Sequence, residues 1–208
     1  MRLIRESALA ATLIALSLVA PVPAQTIQAG GSSEAEAAFD LSKIRIRNFG
    51  RINPKYYRGA QPKDHDYGDL AALGVKTVIN LTSDDADAAE RTMVESVGMR
   101  YVQIPMTTHE PPTDAKLSEF FGIVDDAAHT PVYVHCVGGR HRTGVMTAAY
   151  RMSRDGWDAK QAFREMKQYD FGADFLHREF KDFVFDYGAQ VARKAAANAV
   201  AAPARVAR

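Results

Sequence analysis

The stretch PVYVHCVGGRHRTG, residues 131–144, decides the fold and holds the only cysteine of the chain, Cys136. Its first part, Val132 to Cys136, is a short and mostly apolar run that predicts a buried strand. A short loop with two glycines follows, and a helix is expected to begin near Thr143. The predicted strand therefore ends at a cysteine, and a loop and a helix N-terminus come directly after it.

A loop of this kind suits an anion. It turns successive backbone N–H groups inward, and glycines allow the backbone conformations that this requires. The helix N-terminus adds a partial positive charge and free donors. A cysteine at the floor of such a loop should have a lowered pKa, because a site that favours phosphate also favours a thiolate.

Side chains around the loop complete a predicted site for nucleophilic attack at phosphorus. Arg142 offers a planar fork that can hold two phosphate oxygens at once. Thr143 can donate its hydroxyl to the thiolate, and His135 is expected to orient the loop by hydrogen bonding. The loop residues expected to bind the substrate phosphate are Val137, Gly138, Gly139, Arg140 and His141.

Strand and helix patterns alternate along the rest of the chain. Besides 132–136, strands are predicted at 44–49, 75–81 and 101–104, with an extended segment at 56–58. Helices are predicted at about 66–73, 84–97, 113–128, 143–155, 158–169 and 175–192. This order predicts a single α/β domain with a central, mostly parallel sheet and helices on both faces.

The two ends of the chain have a different composition from the middle. A basic start and an apolar run, Ala8 to Ala20, predict a signal peptide over residues 1–24 with cleavage before Gln25. An uncleaved anchor is the alternative, although the run is shorter than the roughly 20 residues of a membrane span. Residues 25–43 are expected to be a linker, 44–192 the catalytic domain, and 193–208 a tail rich in Ala and Arg.

Export to the periplasm or the exterior would place the chain in an oxidising compartment, where cysteines are usually paired. A single cysteine there needs burial or chemistry to explain it. The net charge of +1 gives no indication of nucleic-acid binding. No cofactor is expected. His65, His129 and His177 show no metal-ligand spacing in the sequence, and each is predicted to be a surface or turn residue.

The stretch HCVGGRHRTG, residues 135–144, resembles the signature loop of the protein tyrosine phosphatase superfamily: His-Cys, five residues, Arg, Ser or Thr, and Gly. Residues 48–52 and 57–62, NFGRI and YRGAQP, are similar to the first segment of atypical dual-specificity phosphatases of plants, fungi and bacteria. The resemblance extends over about residues 44–187. It implies a fold of this family and hydrolysis of phosphate monoesters through a phosphocysteine on Cys136, which needs no metal.

The same resemblance exposes a difference. The family uses an aspartate as general acid about 30 residues before the cysteine, and Thr108 stands at that position in the loop IPMTTHEPPTD, residues 104–114. Glu110 is the first candidate to replace it. Further candidates, some of which equally fit helix caps or first-turn acids, are His109, Asp114, Asp84 and Asp85. An enzyme without an acid that prefers good leaving groups is the remaining possibility.

The 135–144 stretch also has simpler interpretations, each of which fits fewer of its features. A buried core cysteine with a chance basic turn explains neither the glycines nor the arginine spacing. A sulfur-transfer loop of the rhodanese type usually lacks the Arg-Thr-Gly ending. A non-catalytic phosphate-binding module would fit the missing aspartate, but inactive relatives commonly lose Cys136 or Arg142, and both are present.

The expected substrate is either a phosphorylated protein or an inositol phosphate or phosphoinositide. Phosphotyrosine, together with phosphoserine and phosphothreonine, is the substrate that the resemblance to dual-specificity phosphatases implies. Arg140, His141 and the His-Glu-Pro-Pro segment of the 104–114 loop favour inositol phosphates instead. The sequence does not separate these two.

Overall fold

The computed structural model describes residues 41–83 and 86–201. The predicted signal peptide, nearly all of the predicted linker, Asp84, Asp85 and the end of the predicted tail lie outside the described residues. Among the helices that are described, none combines the length and the apolar character needed to cross a membrane.

The described residues form a sheet whose strands follow the order β1-β2-β5-β3-β4. The strands are β1 Gly50–Asn53, β2 Tyr56–Ala60, β3 Thr77–Asn80, β4 Arg100–Gln103 and β5 Val132–Cys136. β1 pairs with β2 antiparallel, and every other pair is parallel. The central strand, β5, is buried along its whole length, as the apolar run predicts. The α/β architecture with a mostly parallel sheet is confirmed.

Helices cover both faces of this sheet. They are α1 Asp66–Ala72, α2 Glu90–Ser96, α3 Asp114–Val124, α4 His141–Arg154, α5 Ala159–Gln168 and α6 Arg178–Ala201, after a 3-10 turn at Leu41–Lys43. Val132 and Val134 of β5 share a core with buried residues of α3, α4, α5 and α6. Tyr133, which points the other way, shares a second core with buried residues of α1 and α2. The period of two along β5 thus separates two apolar layers.

Residues 44–49 are not the strand that their alternating pattern predicts. The chain turns there, with the N–H of Phe49 bonded to the Ile46 carbonyl at 3.2 Å. Asn48 has a φ of 55°, a left-handed conformation that ends any extended run. Burial does alternate, since Ile46 is buried between exposed arginines, but Ile46 packs against the sheet face. A backbone bond from the Ala60 N–H to the Arg47 carbonyl, at 2.8 Å, ties the segment to β2.

The last helix is longer than predicted. α6 continues to Ala201, and residues 192–200 along it are exposed. Alanine is the strongest helix former, so this Ala-rich segment extends the helix without tertiary support. The first part of the predicted tail is therefore helical. The helix predicted at 84–97 is shorter, since α2 begins at Glu90, and the Asp87 carboxylate accepts the N–H of Ala89 in the turn before it.

Candidate active site

β5 ends at Cys136 and α4 begins at His141, so the predicted loop occupies residues 137–140 at the carboxyl end of the parallel strands. Ligand sites of open α/β sheets form at this end. Cys136 is 3% exposed, and its thiol is free. The thiol therefore lies at the floor of the loop, as the sequence predicts.

The shape of the loop is fixed from outside by three hydrogen bonds to successive carbonyl groups. The N–H of Gln61 donates to Val137 at 3.3 Å, and the side-chain amide of Asn48 donates to Gly138 at 2.9 Å. The guanidinium of Arg58 donates to the Gly139 carbonyl. In a trans peptide the next N–H points opposite to the carbonyl. The N–H groups of residues 138, 139 and 140 are thus directed to the concave side, as an anion nest requires.

Gly139 is the position at which the loop needs glycine. Its φ is +65°, in the left-handed region. A Cβ at this position would lie 2.6 Å from the amide nitrogen of Ala60 and would also meet the carbonyl group of Gly59. The loop therefore passes directly against the backbone of β2, and a side chain would push the two apart.

The environment of Cys136 favours its thiolate. Burial by itself would raise the pKa of the thiol, but the hydroxyl and N–H of Thr143, the charge of Arg142 and the N–H of Arg140 act against it, and the pKa is lowered. The Thr143 hydroxyl is buried and bonds to no other described group, so it is available to the sulfur. A thiolate is the nucleophilic form of cysteine.

Arg142 is buried beside the thiol, with 3% of its surface exposed. Its Nη1 donates to the carbonyl of Met106 at 3.2 Å. Met106 lies in the 104–114 loop, in which the general acid is expected. Arg142, which is predicted to hold the phosphate, is thus hydrogen-bonded to the loop that should supply the leaving-group proton.

His135 is fully buried and lies behind the loop on the opposite face of the sheet from Cys136. Its Nε2 is 2.8 Å from a carboxylate oxygen of Glu90, which is also fully buried. Glu90 accepts hydrogen bonds from Tyr67 at 3.2 Å and from the side chain of Asn80. His135 thus lies in a buried polar network that links β5, β3, α1 and α2, and its role in orienting the loop stays a prediction.

Arg58 is a residue of the site to which the sequence assigned no role. It is fully buried, its guanidinium lies 3.9 Å from the ring centroid of Tyr169, and burial lowers its pKa. Its Nε and Nη1 have no hydrogen-bond partner among the described residues. A buried cation is costly unless it is paired, and an anion in the loop would lie on the far side of Gly139. The sequence could have indicated Arg58, because it belongs to the YRGAQP segment on which the family resemblance partly rests.

A cluster of aromatic rings borders the other side of the loop. His141 lies against His177, with 3.6 Å between ring centroids, and its Nε2 is 2.9 Å from the Phe171 carbonyl. This nitrogen donates, because a carbonyl only accepts. Burial lowers the pKa of His141, and the neighbouring His177, Arg140 and Arg142 act in the same direction. His177 was expected to be a surface or turn residue; it instead packs beside the phosphate loop.

The candidate acids of the 104–114 loop lie in different surroundings from one another. The Thr107 hydroxyl accepts the N–H groups of His109 and Glu110, at 3.5 and 3.1 Å, which folds residues 107–110 into a tight turn. The Glu110 side chain is exposed, whereas the His109 ring lies 6.3 Å from that of His177. Asp114 is an exposed first-turn acid of α3, the simpler interpretation of this residue. Asp84 and Asp85 lie outside the described residues.

A groove of about 590 Å³ adjoins the loop at Val137, which is 44% exposed. Three basic side chains, Arg45, Arg47 and Lys63, line it together with Asp66 and Asp87. Arg140 lies elsewhere on the rim, 3.8 Å from the carboxylate of Asp170. The rim of the site is therefore more basic than acidic on this side.

Two groups of described residues bring possible metal-ligating atoms within 4.8 Å of one another. They are His109, His177 and Glu179, next to the phosphate loop, and His65, Asp66 and Asp69, at the start of α1. The first group gives no metal motif in the sequence, because His109 is far along the chain from His177 and Glu179 and only the fold brings them together.

Comparisons with known proteins agree on the family. Residues 48–182 match the family model described as "DSP-PTPase phosphatase fused to NAD+ Kinase". The chain is 31% identical over 199 residues to the dual specificity protein phosphatase TpbA of Pseudomonas aeruginosa, covering 96% of this chain and 88% of TpbA. A crystal structure of a cysteine-to-serine variant of TpbA in complex with phosphotyrosine has a TM-score of 0.55 and 28% identity, covering 68% of this chain and 90% of that one.

A second relative is a yeast enzyme. The inositol diphosphatase SIW14 of Saccharomyces cerevisiae is 23% identical over 133 residues, which cover 62% of this chain and 47% of SIW14. The structure of its catalytic core has a TM-score of 0.61 with 22% identity, over 74% of this chain and 92% of the core. This likeness shows a shared fold.

Proposed function

The chain belongs to the DSP-PTPase family of cysteine-dependent phosphatases, and we propose that it dephosphorylates phosphotyrosine, with phosphoserine and phosphothreonine, in proteins. One observation carries the mechanistic part of the proposal. A buried cysteine with a lowered pKa lies at the floor of a loop whose carbonyls are held outward, with Arg142 beside it.

The first chemical step is attack on phosphorus by the Cys136 thiolate. The sulfur supplies the electron pair of the new S–P bond, and the bond from phosphorus to the leaving oxygen breaks. The leaving oxygen keeps that electron pair and takes a proton from a general acid. Arg142 and the loop N–H groups hold the three remaining phosphoryl oxygens, on which negative charge is spread.

The second step returns the enzyme to its starting state. Water attacks phosphorus, the S–P bond breaks with its electron pair going back to sulfur, and inorganic phosphate forms. The residue that gave its proton in the first step takes one from the water. The Thr143 hydroxyl and the N–H groups of Thr143 and Arg140 stabilise the thiolate as it leaves.

We assign the acid to Glu110, with His109 as the second candidate. The loop that carries them is attached to Arg142 through Met106, so its movement and the clamping of phosphate are linked. The carboxylate of Glu110 is exposed in the described conformation, and closure of the loop over a bound substrate would bring it inward.

An inositol phosphate is the second candidate substrate, and the groove at Val137 favours it. Arg45, Arg47 and Lys63 could bind phosphates next to the one being cleaved, which a phosphotyrosine side chain does not have. Support for the protein substrate comes from TpbA, which is the more similar of the two relatives and covers nearly the whole chain.

A panel of phosphotyrosine, phosphoserine and phosphothreonine peptides, inositol phosphates and inositol diphosphates separates these candidates. We expect the phosphotyrosine peptides to have the highest kcat/KM, with little change in the Arg47→Ala variant. A preference for an inositol polyphosphate that Arg47→Ala abolishes would move the assignment to the second candidate. Arg100→Ala, an exposed arginine on β4, serves as the matched control for loss of one positive charge.

We further propose that the enzyme is exported and acts in the periplasm or outside the cell. The proposal rests on the basic start and the apolar run of residues 1–24. N-terminal sequencing of the protein from fractionated cells tests it, with a mature chain that begins near Gln25 as the expected result. Recovery from the cytoplasm with Met1 intact, or only from the membrane fraction, would contradict export.

A further inference from the structure

With Glu110 as the acid, the hydrolysis by Cys136 gives no role to the cluster of His109, His177 and Glu179. His109 is on the exposed turn of the 104–114 loop, His177 lies just before α6, and Glu179 is in the first turn of that helix. One nitrogen of each histidine and one carboxylate oxygen of Glu179 lie within 4.8 Å of one another. Through His177, the cluster contacts His141, the first residue of α4 after the phosphate loop, with 3.6 Å between ring centroids.

Two atoms of this cluster are buried and contact each other as an ion pair. The Nδ1 of His177 and the Oε1 of Glu179 are both shielded from solvent, and neither has a hydrogen-bond partner among the described residues. They are 3.5 Å apart. Buried polar atoms are normally hydrogen-bonded, and a cation held between these two atoms would satisfy both of them.

The separation of these atoms fits a shared metal ion. Around a tetrahedral zinc with bonds of about 2.0–2.2 Å, neighbouring ligand atoms lie roughly 3.3–3.5 Å apart. The His177 and Glu179 pair already has this spacing. His109 has to approach by little more than about 1 Å, and it is on an exposed turn that can move.

We propose that His109, His177 and Glu179 form a binding site for a divalent transition-metal ion, with zinc as the best match, at the rim of the phosphate pocket. Two imidazole nitrogens and one carboxylate are a donor set that zinc accepts, and a fourth position stays open to water. The bound ion ties the 104–114 loop to α6. It therefore holds the loop that carries Glu110 and that also bonds Arg142 through Met106.

Direct binding measurements test this site separately from the phosphatase activity. The full chain carrying Cys136→Ser is used, because a thiolate would itself bind zinc. Isothermal titration with zinc should show one ion per chain. Glu179→Gln and His109→Ala, each added to Cys136→Ser, should weaken binding by more than the roughly 10-fold to 100-fold that loss of a supporting residue costs. Glu179→Gln keeps the size of the side chain, and its circular dichroism should match that of the parent.

The second group of possible ligands provides the matched control. His65→Ala removes an exposed histidine at the start of α1 and should leave zinc binding unchanged. Absence of zinc binding to the Cys136→Ser protein would overturn the proposal. Binding that His65→Ala weakens, or that Glu179→Gln and His109→Ala leave intact, would overturn it as well. None of these outcomes depends on which phosphate ester the enzyme cleaves.

Discussion

Gly139→Ala is predicted to damage catalysis far more than the loss of one hydrogen atom suggests. The new Cβ would lie 2.5 Å from the Gly59 carbonyl oxygen and closer still to the carbonyl carbon, and ordinary contact begins at 3.4 Å, so the loop must shift by at least about 0.9 Å. Misplacement of about 1 Å can cost on the order of 10² in rate. The φ of +65° adds roughly 1–2 kcal/mol of strain for a residue with a side chain.

Gly138→Ala is the matched control in the same loop. Its Cβ would meet nothing closer than 3.6 Å, and the nearest atoms belong to the flexible side chain of Arg140. The assay is kcat/KM on 4-nitrophenyl phosphate, with thermal unfolding to show that both variants are folded. We expect a loss on the order of 10² for Gly139→Ala and less than about tenfold for Gly138→Ala. Equal losses, or a Gly139→Ala enzyme within about threefold of wild type, would refute the proposed loop geometry.

Three further predictions concern the groups around the thiol. Arg142→Lys should lower kcat/KM by roughly 10² or more, because an ammonium cannot rebuild a planar two-point contact; a change of less than about threefold would make Arg142 structural. Glu110→Gln should slow an alkyl phosphate strongly and 4-nitrophenyl phosphate little, because only the alkoxide needs a proton to leave; equal effects on both would place the acid elsewhere, with His109 tested next. The thiolate is the charged form of Cys136 and its pKa is lowered, so alkylation by iodoacetamide should stay fast at pH values below the ordinary pKa of a thiol. The pH at which alkylation reaches half its maximal rate should be higher in Thr143→Val. An unchanged value would exclude the Thr143 hydroxyl as a cause of the lowered pKa.

The site residues that the sequence placed are those that lie close together along the chain. The strand, the glycine loop and the helix N-terminus are contiguous, so Cys136, Thr143 and the intervening N–H groups follow from 14 consecutive letters. The groups that hold the loop in place come from far away in the chain. Arg58 and Gly139 are 81 residues apart, and Asn48 and Gly138 are 90 apart.

Residues 44–49 show why pattern alone can mislead. Ile46 is buried and its neighbours are exposed, which is the pattern of a half-buried strand. The burial comes from packing over the sheet face, and the left-handed Asn48 directs its side chain to the phosphate loop. His177 was misjudged for a related reason. Nothing in its sequence neighbourhood shows that the fold brings it against His141.

The central claim is that Cys136 carries the phosphoryl group during turnover, and acid quenching of the working enzyme tests this most directly. The enzyme is mixed with excess 4-nitrophenyl phosphate, quenched within the first turnovers, digested and analysed by mass spectrometry. We predict added phosphate on the peptide that contains Cys136, and neither modification nor turnover in Cys136→Ser. EDTA should abolish neither signal, because no metal ion takes part in either chemical step. Phosphate found on a different residue, or a Cys136→Ser enzyme that turns over near the wild-type rate, would contradict the mechanism.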